Sequence, residues 1–115
     1  MDREKRLICS SGELVESKKG IRFVVPDSSG DDAPAFAVRY RGRVYAYINR
    51  CAHIQVELDW QHGHFFDSDG EYLMCATHGA LYDPETGHCI AGPCKDAKLS
   101  SLDVKEEGDE VFILV

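Results

Sequence analysis

Four residues of types that bind metal ions stand in two short pairs near the middle of the chain. Cys51 and His53 form a Cys-x-His pair, Cys75 and His78 form a Cys-x-x-His pair, and 21 residues lie between His53 and Cys75. Each pair offers one thiolate and one imidazole, and thiolate is the ligand that suits iron–sulfur chemistry. In one type of [2Fe–2S] cluster, two cysteines hold one iron and two histidines hold the other. The spacing therefore predicts a one-electron redox centre at these four residues.

The same four residues could instead form a tetrahedral zinc site with two cysteine and two histidine ligands. Zinc sites usually place two cysteines in one pair and two histidines in the other. Both pairs are mixed here, and Gly79 and Gly87 give the second pair turn-like surroundings. The mixed pairs therefore favour an iron–sulfur cluster over zinc, and over four unrelated core residues.

The sequence around the two pairs resembles that of Rieske-type ferredoxins, especially the small soluble bacterial Rieske proteins. The resemblance runs from about Asn49 to the C-terminus and includes Gly79-Ala80, residues 82–87 and Gly92-Pro93-Cys94. It implies an all-β Rieske iron–sulfur fold of small antiparallel sheets or a sandwich, with two ligand loops in a cluster-binding subdomain at about 49–95. It also implies that the loop with Pro93 covers the cluster. The length of 115 residues suits one domain, 1–115.

Two departures from the high-potential Rieske proteins bear on the reduction potential. Those proteins carry a disulfide between the ligand loops, at places that Val56 and Ala76 or Thr77 occupy here. They also carry a serine at the place of Ala80, whereas Tyr82 does stand where a phenol donates a hydrogen bond to a ligand sulfur. Hydrogen bonds to the sulfurs raise the potential, so we expect the lower part of a range of about −150 to +300 mV.

The rest of the chain predicts strands and no helix. Short segments rich in β-branched and aromatic residues occur at 22–25, 35–40, 44–48 and 72–74. Gly42 supplies the turn of a hairpin, and residues 99–104 and 111–115 predict a final hairpin with its turn at 106–109. No segment keeps helical periodicity for three turns. The pattern agrees with an all-β fold.

Three of the five cysteines are not assigned to iron: Cys9, Cys89 and Cys94. We expect them to be free thiols in a reducing cytosol, with a Cys89–Cys94 disulfide as the alternative. The first residues are not followed by the apolar region of a Sec-type signal. No apolar segment approaches the ~20 residues of a membrane span. The chain is therefore expected in the cytoplasm, away from the membrane.

The segment between the two pairs is somewhat longer than in most ferredoxins of this class. Its aromatic residues Trp60, Phe65 and Phe66 are expected to pack the segment 57–71 onto the rest of the protein, and any exposed subset to form an apolar docking patch. Three histidines are expected to be surface or turn residues and not metal ligands: His62, His64 and His88.

The negative charge is concentrated in the segment 51–94. The chain has 20 acidic and 13 basic residues, a net charge of −7. All seven units fall in this segment, which contains seven acidic residues and no lysine or arginine. A field of one sign steers a complementary partner and repels nucleic acid. We therefore expect a redox partner with a basic patch, steered by acids that include Glu57, Asp59 and Glu85.

The resemblance implies an electron carrier and not an enzyme. Such a ferredoxin moves electrons from a flavin-type reductase to a terminal oxygenase or a similar enzyme. An oxygenase would also need a mononuclear iron site with a 2-His-1-carboxylate triad, for which 115 residues leave no room. The small subunit of assimilatory nitrite reductases lacks the four ligands that this chain has. The alternative function is a cluster-bearing subunit or a redox-sensing module of a larger oxidoreductase complex.

Overall fold

The computed structural model describes residues 4–26, 29–51, 56–59, 61–77, 79–92, 94 and 97–115. Within these residues the chain forms β-strands and one short 3₁₀ helix, Ser11–Glu13. None of this described chain forms a helix long and apolar enough to cross a bilayer. The strands are β1 Lys5–Ser10, β2 Ile21–Pro26, β3 Asp32–Tyr40, β4 Arg43–Ile48, β5 Leu73–Met74, β6 Leu81–Tyr82, β7 Cys89–Ala91, β8 Ser101–Leu102, β9 Val104–Glu107 and β10 Glu110–Leu114.

The strands pair into three antiparallel sheets, which confirms the all-β prediction. β2, β3, β4 and β8 form a four-stranded sheet in that order, while β1, β10 and β9 form a second sheet and β5, β6 and β7 a third. The predicted hairpin joins β3 to β4 through Arg41 and Gly42, whose φ angles are 51° and 80°. Two successive positive φ angles are what a two-residue hairpin turn of type I′ requires. The turn therefore favours a glycine at one of these two places.

The central strand β3 separates two hydrophobic cores. Side chains alternate between the two faces of a strand, and Ala33, Ala35 and Ala37 pack into one core while Phe36 and Val38 pack into the other. The first core lies between the four-stranded sheet and the sheet that holds the two chain ends. The second core contains Cys51 and Cys75, the cysteines of the two Cys/His pairs.

The C-terminal hairpin differs from the sequence prediction. β8 pairs with β4 in the four-stranded sheet, and the hairpin consists of β9 and β10 with its turn at Gly108–Asp109. Glu106 and Glu107 therefore belong to a strand and not to the turn. Ion pairs explain their place there, since Glu106 lies 2.6 Å from Arg39 Nη2 and Glu107 lies 2.7 Å from Lys5 Nζ. Such long-range ion pairs help glutamates to occupy a strand.

Candidate iron–sulfur centre

The first ligand loop begins at Cys51, three residues after the end of β4. The backbone N–H of Asn49 donates to the carbonyl of Pro34 (2.8 Å) and anchors the start of the loop. The N–H of Cys51 donates to the carbonyl of Val56 (2.7 Å), so the chain turns back within five residues. Cys51 is buried at the base of this loop, with 4% of its surface exposed. His53 lies outside the described residues.

The second ligand loop follows β5 and is a tight turn. The N–H of Cys75 donates to the carbonyl of Ala80 (2.9 Å), and the N–H of Gly79 donates to the carbonyl of Cys75 (2.7 Å). Gly79 has a φ of +71°, a conformation that glycine adopts without steric cost. Cys75 is fully buried, and His78 lies outside the described residues. The turn thus holds a second buried sulfur at its base.

Tyr82 connects the two ligand loops. It lies in β6, where it pairs with Leu73 of the strand that leads into Cys75. Its hydroxyl oxygen is 3.2 Å from Cys51 Sγ, which is within hydrogen-bonding distance for sulfur. The tyrosine is fully buried, so the hydroxyl reaches the sulfur inside the protein. This contact is the one that the resemblance implies for Tyr82.

A third loop packs directly on the second ligand loop. Gly92 has a φ of +96°, and a Cβ atom at this position would lie 2.9 Å from the Cα of Ala80. Ala80 itself is fully buried. Only glycine allows the two backbones to approach this closely. Pro93, which follows Gly92, lies outside the described residues.

The expectation of free thiols at Cys89 and Cys94 is wrong, because the two residues form a disulfide. The backbone brings them together: the N–H of Ala97 donates to the carbonyl of Cys94, and the N–H of Cys89 donates to the carbonyl of Ala97, both at 2.9 Å. The disulfide lies next to the centre, since Cys89 pairs with Tyr82 across β6 and β7. Cys9 is a free thiol, and burial raises its pKa to about 11.

Removal of the disulfide is expected to lower the stability moderately. A cross-link that closes a loop of so few residues contributes about 2 kcal/mol by the chain-entropy relation. We expect the double variant Cys89→Ser/Cys94→Ser to lose about this much free energy of unfolding, measured by urea denaturation. Dithiothreitol should lower the wild-type value towards that of the variant and leave the variant unchanged. Equal denaturation curves for the wild type with and without reductant would contradict the prediction.

The long segment between the ligand loops is held by an aromatic residue in the core. Phe65 is fully buried and stacks on Phe36, with ring centroids 4.0 Å apart. Phe66 is half-buried and stacks on Tyr40 at 6.1 Å. The packing prediction is thus confirmed for Phe65, which cannot contribute to a docking patch, while Trp60 lies outside the described residues. Three histidines of the second half are exposed: His62, His64 and His88.

The three acids of the segment 51–94 named for steering are buried or paired, while other acids of the segment are exposed. The side chain of Asp59 is completely buried. Glu57 lies 2.6 Å from Arg22 Nη2, and Glu85 lies 3.7 Å from Arg41 Nη1. Both arginines come from β2 and the β3–β4 turn, far from the segment in sequence. None of the three acids named for steering therefore offers an isolated exposed charge.

Comparison with known sequences identifies the family. The Rieske [2Fe-2S] domain matches residues 5–106. The chain belongs to the Rieske [2Fe–2S] family. Its cofactor is accordingly one [2Fe–2S] cluster, and the match extends the resemblance to the Rieske strands that precede Asn49. A search among functionally curated proteins finds no match for this Rieske chain.

Solved structures of ferredoxins and oxygenases share this Rieske fold. The ferredoxin of carbazole 1,9a-dioxygenase from Nocardioides aromaticivorans IC177 has 23% identity and a TM-score of 0.72 over 95% of both chains. A chain in the complex of reduced oxygenase and oxidised ferredoxin of carbazole 1,9a-dioxygenase has 21% identity and a TM-score of 0.72 over 96% of this chain and 92% of that one. The terminal oxygenase of carbazole 1,9a-dioxygenase from Novosphingobium sp. KA1 has 21% identity and a TM-score of 0.77 over 97% of this chain but 30% of its own. At such identities the likeness concerns the fold alone.

The described part of the Rieske centre fits a [2Fe–2S] cluster. Two buried cysteine sulfurs, the ligand type that such clusters require, belong to one hydrophobic core. The Tyr82 hydroxyl lies beside one of them. Cys51 and Cys75 are therefore suitable candidates for cluster ligands, buried at the bases of the two loops.

Proposed function

We propose that this Rieske protein is an electron carrier between a flavin-type reductase and a terminal oxygenase or a similar enzyme. The contact of the Tyr82 hydroxyl with Cys51 Sγ in a buried core carries the proposal. A hydrogen bond to a ligand sulfur tunes the reduction potential of a cluster, which a purely structural site does not need. The likeness to a dioxygenase ferredoxin over 95% of both chains supports a carrier. When bound, a [2Fe–2S] cluster takes up and returns one electron.

In this proposal Cys51 and Cys75 hold the inner iron, and His53 and His78 hold the outer iron. The burial of both cysteines supports this division, because thiolates placed in a core keep water away from the inner side. The histidines then provide the side from which the electron leaves. The described residues surround the cysteines on the core side of the centre. The partner therefore docks on the side of the histidines.

Two variants beside the sulfurs test the control of the reduction potential. Hydrogen bonds to the sulfurs favour the more negative, reduced cluster. We therefore expect Tyr82→Phe to lower the midpoint potential and Ala80→Ser to raise it, measured by protein-film voltammetry. The wild-type midpoint should lie below roughly +200 mV. A Tyr82→Phe protein with the wild-type potential would show that the hydroxyl does not act on the cluster.

The alternative is a cluster-bearing subunit or redox-sensing module of a larger oxidoreductase complex. A terminal oxygenase contains a region of the same fold that covers 30% of its length, and this observation favours the alternative. Size-exclusion chromatography of the native extract, followed with an antibody, separates the two functions. A carrier elutes at the size of the chain alone, and a subunit elutes with its complex.

A cytoplasmic location stays a prediction. The argument from free thiols no longer supports it, since Cys89 and Cys94 form a disulfide and disulfides are rare in the cytosol. The predicted location therefore needs a direct test. Fractionation of the source cells with compartment markers tests it.

We propose that the partner docks where the ligand loops reach the surface and carries a basic patch. The net charge of −7 supports long-range attraction to such a patch. The described surface of the loops is mostly uncharged, with exposed Ala76, Thr77, Gly79 and Gly92 and an exposed isoleucine, Ile90. Charge therefore guides the approach, and an uncharged face makes the contact. Weak redox encounters bury little area, so one exposed aliphatic side chain such as Ile90 makes up a large share of the contact.

The docking proposal predicts different effects for two aliphatic residues of similar exposure. Ile90 in β7 is 46% exposed and Val24 in β2 is 54% exposed. We expect Ile90→Glu to slow electron transfer to the oxygenase roughly tenfold, as expected for a residue inside an interface. Val24→Glu, in the four-stranded sheet, serves as the matched control and should have little effect. Stopped-flow oxidation of the dithionite-reduced protein by a terminal oxygenase from the same organism measures both rates.

The salt dependence of the transfer rate tests the basic patch of the partner separately from the uncharged contact face around Ile90. Raising the salt concentration from 0.01 to 0.1 M shortens the screening length from about 30 to about 10 Å. The transfer rate should fall for the wild type and for Val24→Glu alike. Equal rates for both glutamate variants would exclude the face around Ile90, and a rate independent of salt would exclude the basic patch. A purified oxygenase that never oxidises the reduced protein would refute the proposed function.

A further inference from the structure

Asp59 is a buried carboxylate whose two oxygens are both engaged. Its side chain has no exposed surface. Oδ1 accepts a hydrogen bond from Asn49 Nδ2 (2.9 Å), and Oδ2 accepts one from the N–H of Gly63 (2.9 Å). The Nε atom of Arg22 lies 3.2 Å from Oδ2. Because a buried charge is costly unless it is paired and hydrogen-bonded, this arrangement points to a structural task for Asp59.

The hydrogen bonds of this network enclose the first ligand loop. Asn49 precedes Cys51 by two residues, and its Oδ1 accepts a hydrogen bond from the N–H of Leu58 (2.9 Å). The same asparagine donates to Asp59 through Nδ2. The Cys51–Val56 backbone hydrogen bond closes the loop inside this frame. The side chain of Asn49 thus joins the two ends of the loop, and Asp59 fixes the orientation of its amide.

The same segment also contacts the second ligand loop. The N–H of Ala76, the residue after Cys75, donates to the carbonyl of Leu58 (3.0 Å). Leu58 is fully buried in the core that contains Cys51 and Cys75. One short segment, 56–59, therefore touches both loops, and any shift of it changes the distance between them.

Arg22 ties this segment to the four-stranded sheet. It lies in β2 and extends its guanidinium group to Asp59 through Nε and to Glu57 through Nη2 (2.6 Å). Its side chain is 30% exposed, so it bridges the buried carboxylate and the surface. The arginine supplies both the counter-charge of Asp59 and a link from the sheet to the ligand loops.

We propose that Asp59 and Arg22 are positioning residues that hold the two ligand loops at the spacing the cluster requires. The proposal rests on the ligand set proposed above, with Cys51 and Cys75 on one iron. Loss of either residue should loosen the loops and speed the loss of the cluster. The two losses should move the reduction potential in opposite directions. Neutralising Asp59 leaves the positive charge of Arg22 behind, and neutralising Arg22 leaves the buried negative charge behind.

The test compares Asp59→Asn and Arg22→Gln with a matched surface variant, Asp69→Asn, in an exposed turn. The rate of cluster loss is followed by the bleaching of the visible absorbance in the presence of an iron chelator. We expect roughly a 10- to 100-fold faster loss in both network variants, the usual effect of removing a partner that supports metal ligands. The double variant should lose its cluster little faster than either single variant, because both act on one network.

The midpoint potential distinguishes positioning from general stability. It should rise in Asp59→Asn and fall in Arg22→Gln, whereas a merely destabilised fold would leave it unchanged. Arg22→Lys keeps the charge at a partly exposed position and serves as the test if Asp59→Asn fails to fold. The Arg22→Lys protein should lose its cluster faster than the wild type, with little change in the midpoint potential. Loss rates equal to that of Asp69→Asn would overturn the proposal. A wild-type protein that takes up no iron would instead refute the ligand set.

Discussion

Replacement of Cys51 by serine is expected to abolish the iron centre. The wild type should be red-brown and contain about two irons per chain, with the EPR signal of a mixed-ligand cluster when it is reduced. Cys51→Ser removes the buried sulfur that lies 3.2 Å from the Tyr82 hydroxyl. His53→Ala removes the other proposed ligand of the same pair. Both variants should lose nearly all of the iron and the EPR signal.

The free thiol outside the centre provides the matched control for this experiment. Cys9 is also buried, but it belongs to the other core. Cys9→Ala should therefore retain the iron content and the spectrum, even if its stability falls slightly. Iron and zinc are measured together by inductively coupled plasma mass spectrometry. Stoichiometric zinc in the wild type, or full iron content in His53→Ala, would show that the proposed ligand set is wrong.

Truncation of Phe65 is expected to have the largest effect on stability. This ring is fully buried and stacks on Phe36 in the core that holds both cysteines. Its carbonyl accepts a hydrogen bond from the N–H of Met74 (2.8 Å), one residue before Cys75. Phe→Ala in a core costs about 3–5 kcal/mol, a large part of a total stability of about 5–15 kcal/mol. We expect Phe65→Ala to lower the melting temperature by more than about 10 °C.

The neighbouring phenylalanine serves as the comparison for this variant. Phe66 is half-buried and contacts Tyr40 at a centroid distance of 6.1 Å, so Phe66→Ala should cost much less. Differential scanning calorimetry of the cluster-loaded proteins measures the melting temperatures of both variants. If the two variants melt at the same temperature, the long segment between the ligand loops is not anchored through Phe65.

The sequence alone was sufficient for the features that depend on local chemistry. Thiolate and imidazole at short spacing predict an iron–sulfur cluster, which the family match confirms, and Gly42 predicts the hairpin whose turn has a positive φ. Three predicted strands, 22–25, 35–40 and 44–48, correspond to β2, β3 and β4. β1, β6 and β7 are absent from the prediction. Two of these are only two or three residues long, and so short a strand is stabilised by its neighbours more than by its own propensity.

Only the tertiary structure determined which distant residues meet. The Cys89–Cys94 disulfide depends on the backbone hydrogen bonds that return the chain at Ala97, and sequence spacing does not specify cysteine pairing. Three acids of the segment 51–94 are buried or paired, and arginines from β2 and the β3–β4 turn are their partners. A count of charges along a segment contains no information about such partners. Burial of Asp59 likewise arises from contacts with Arg22, 37 positions earlier in the chain. The local sequence thus predicts the ligands of the centre, and long-range packing decides what surrounds them.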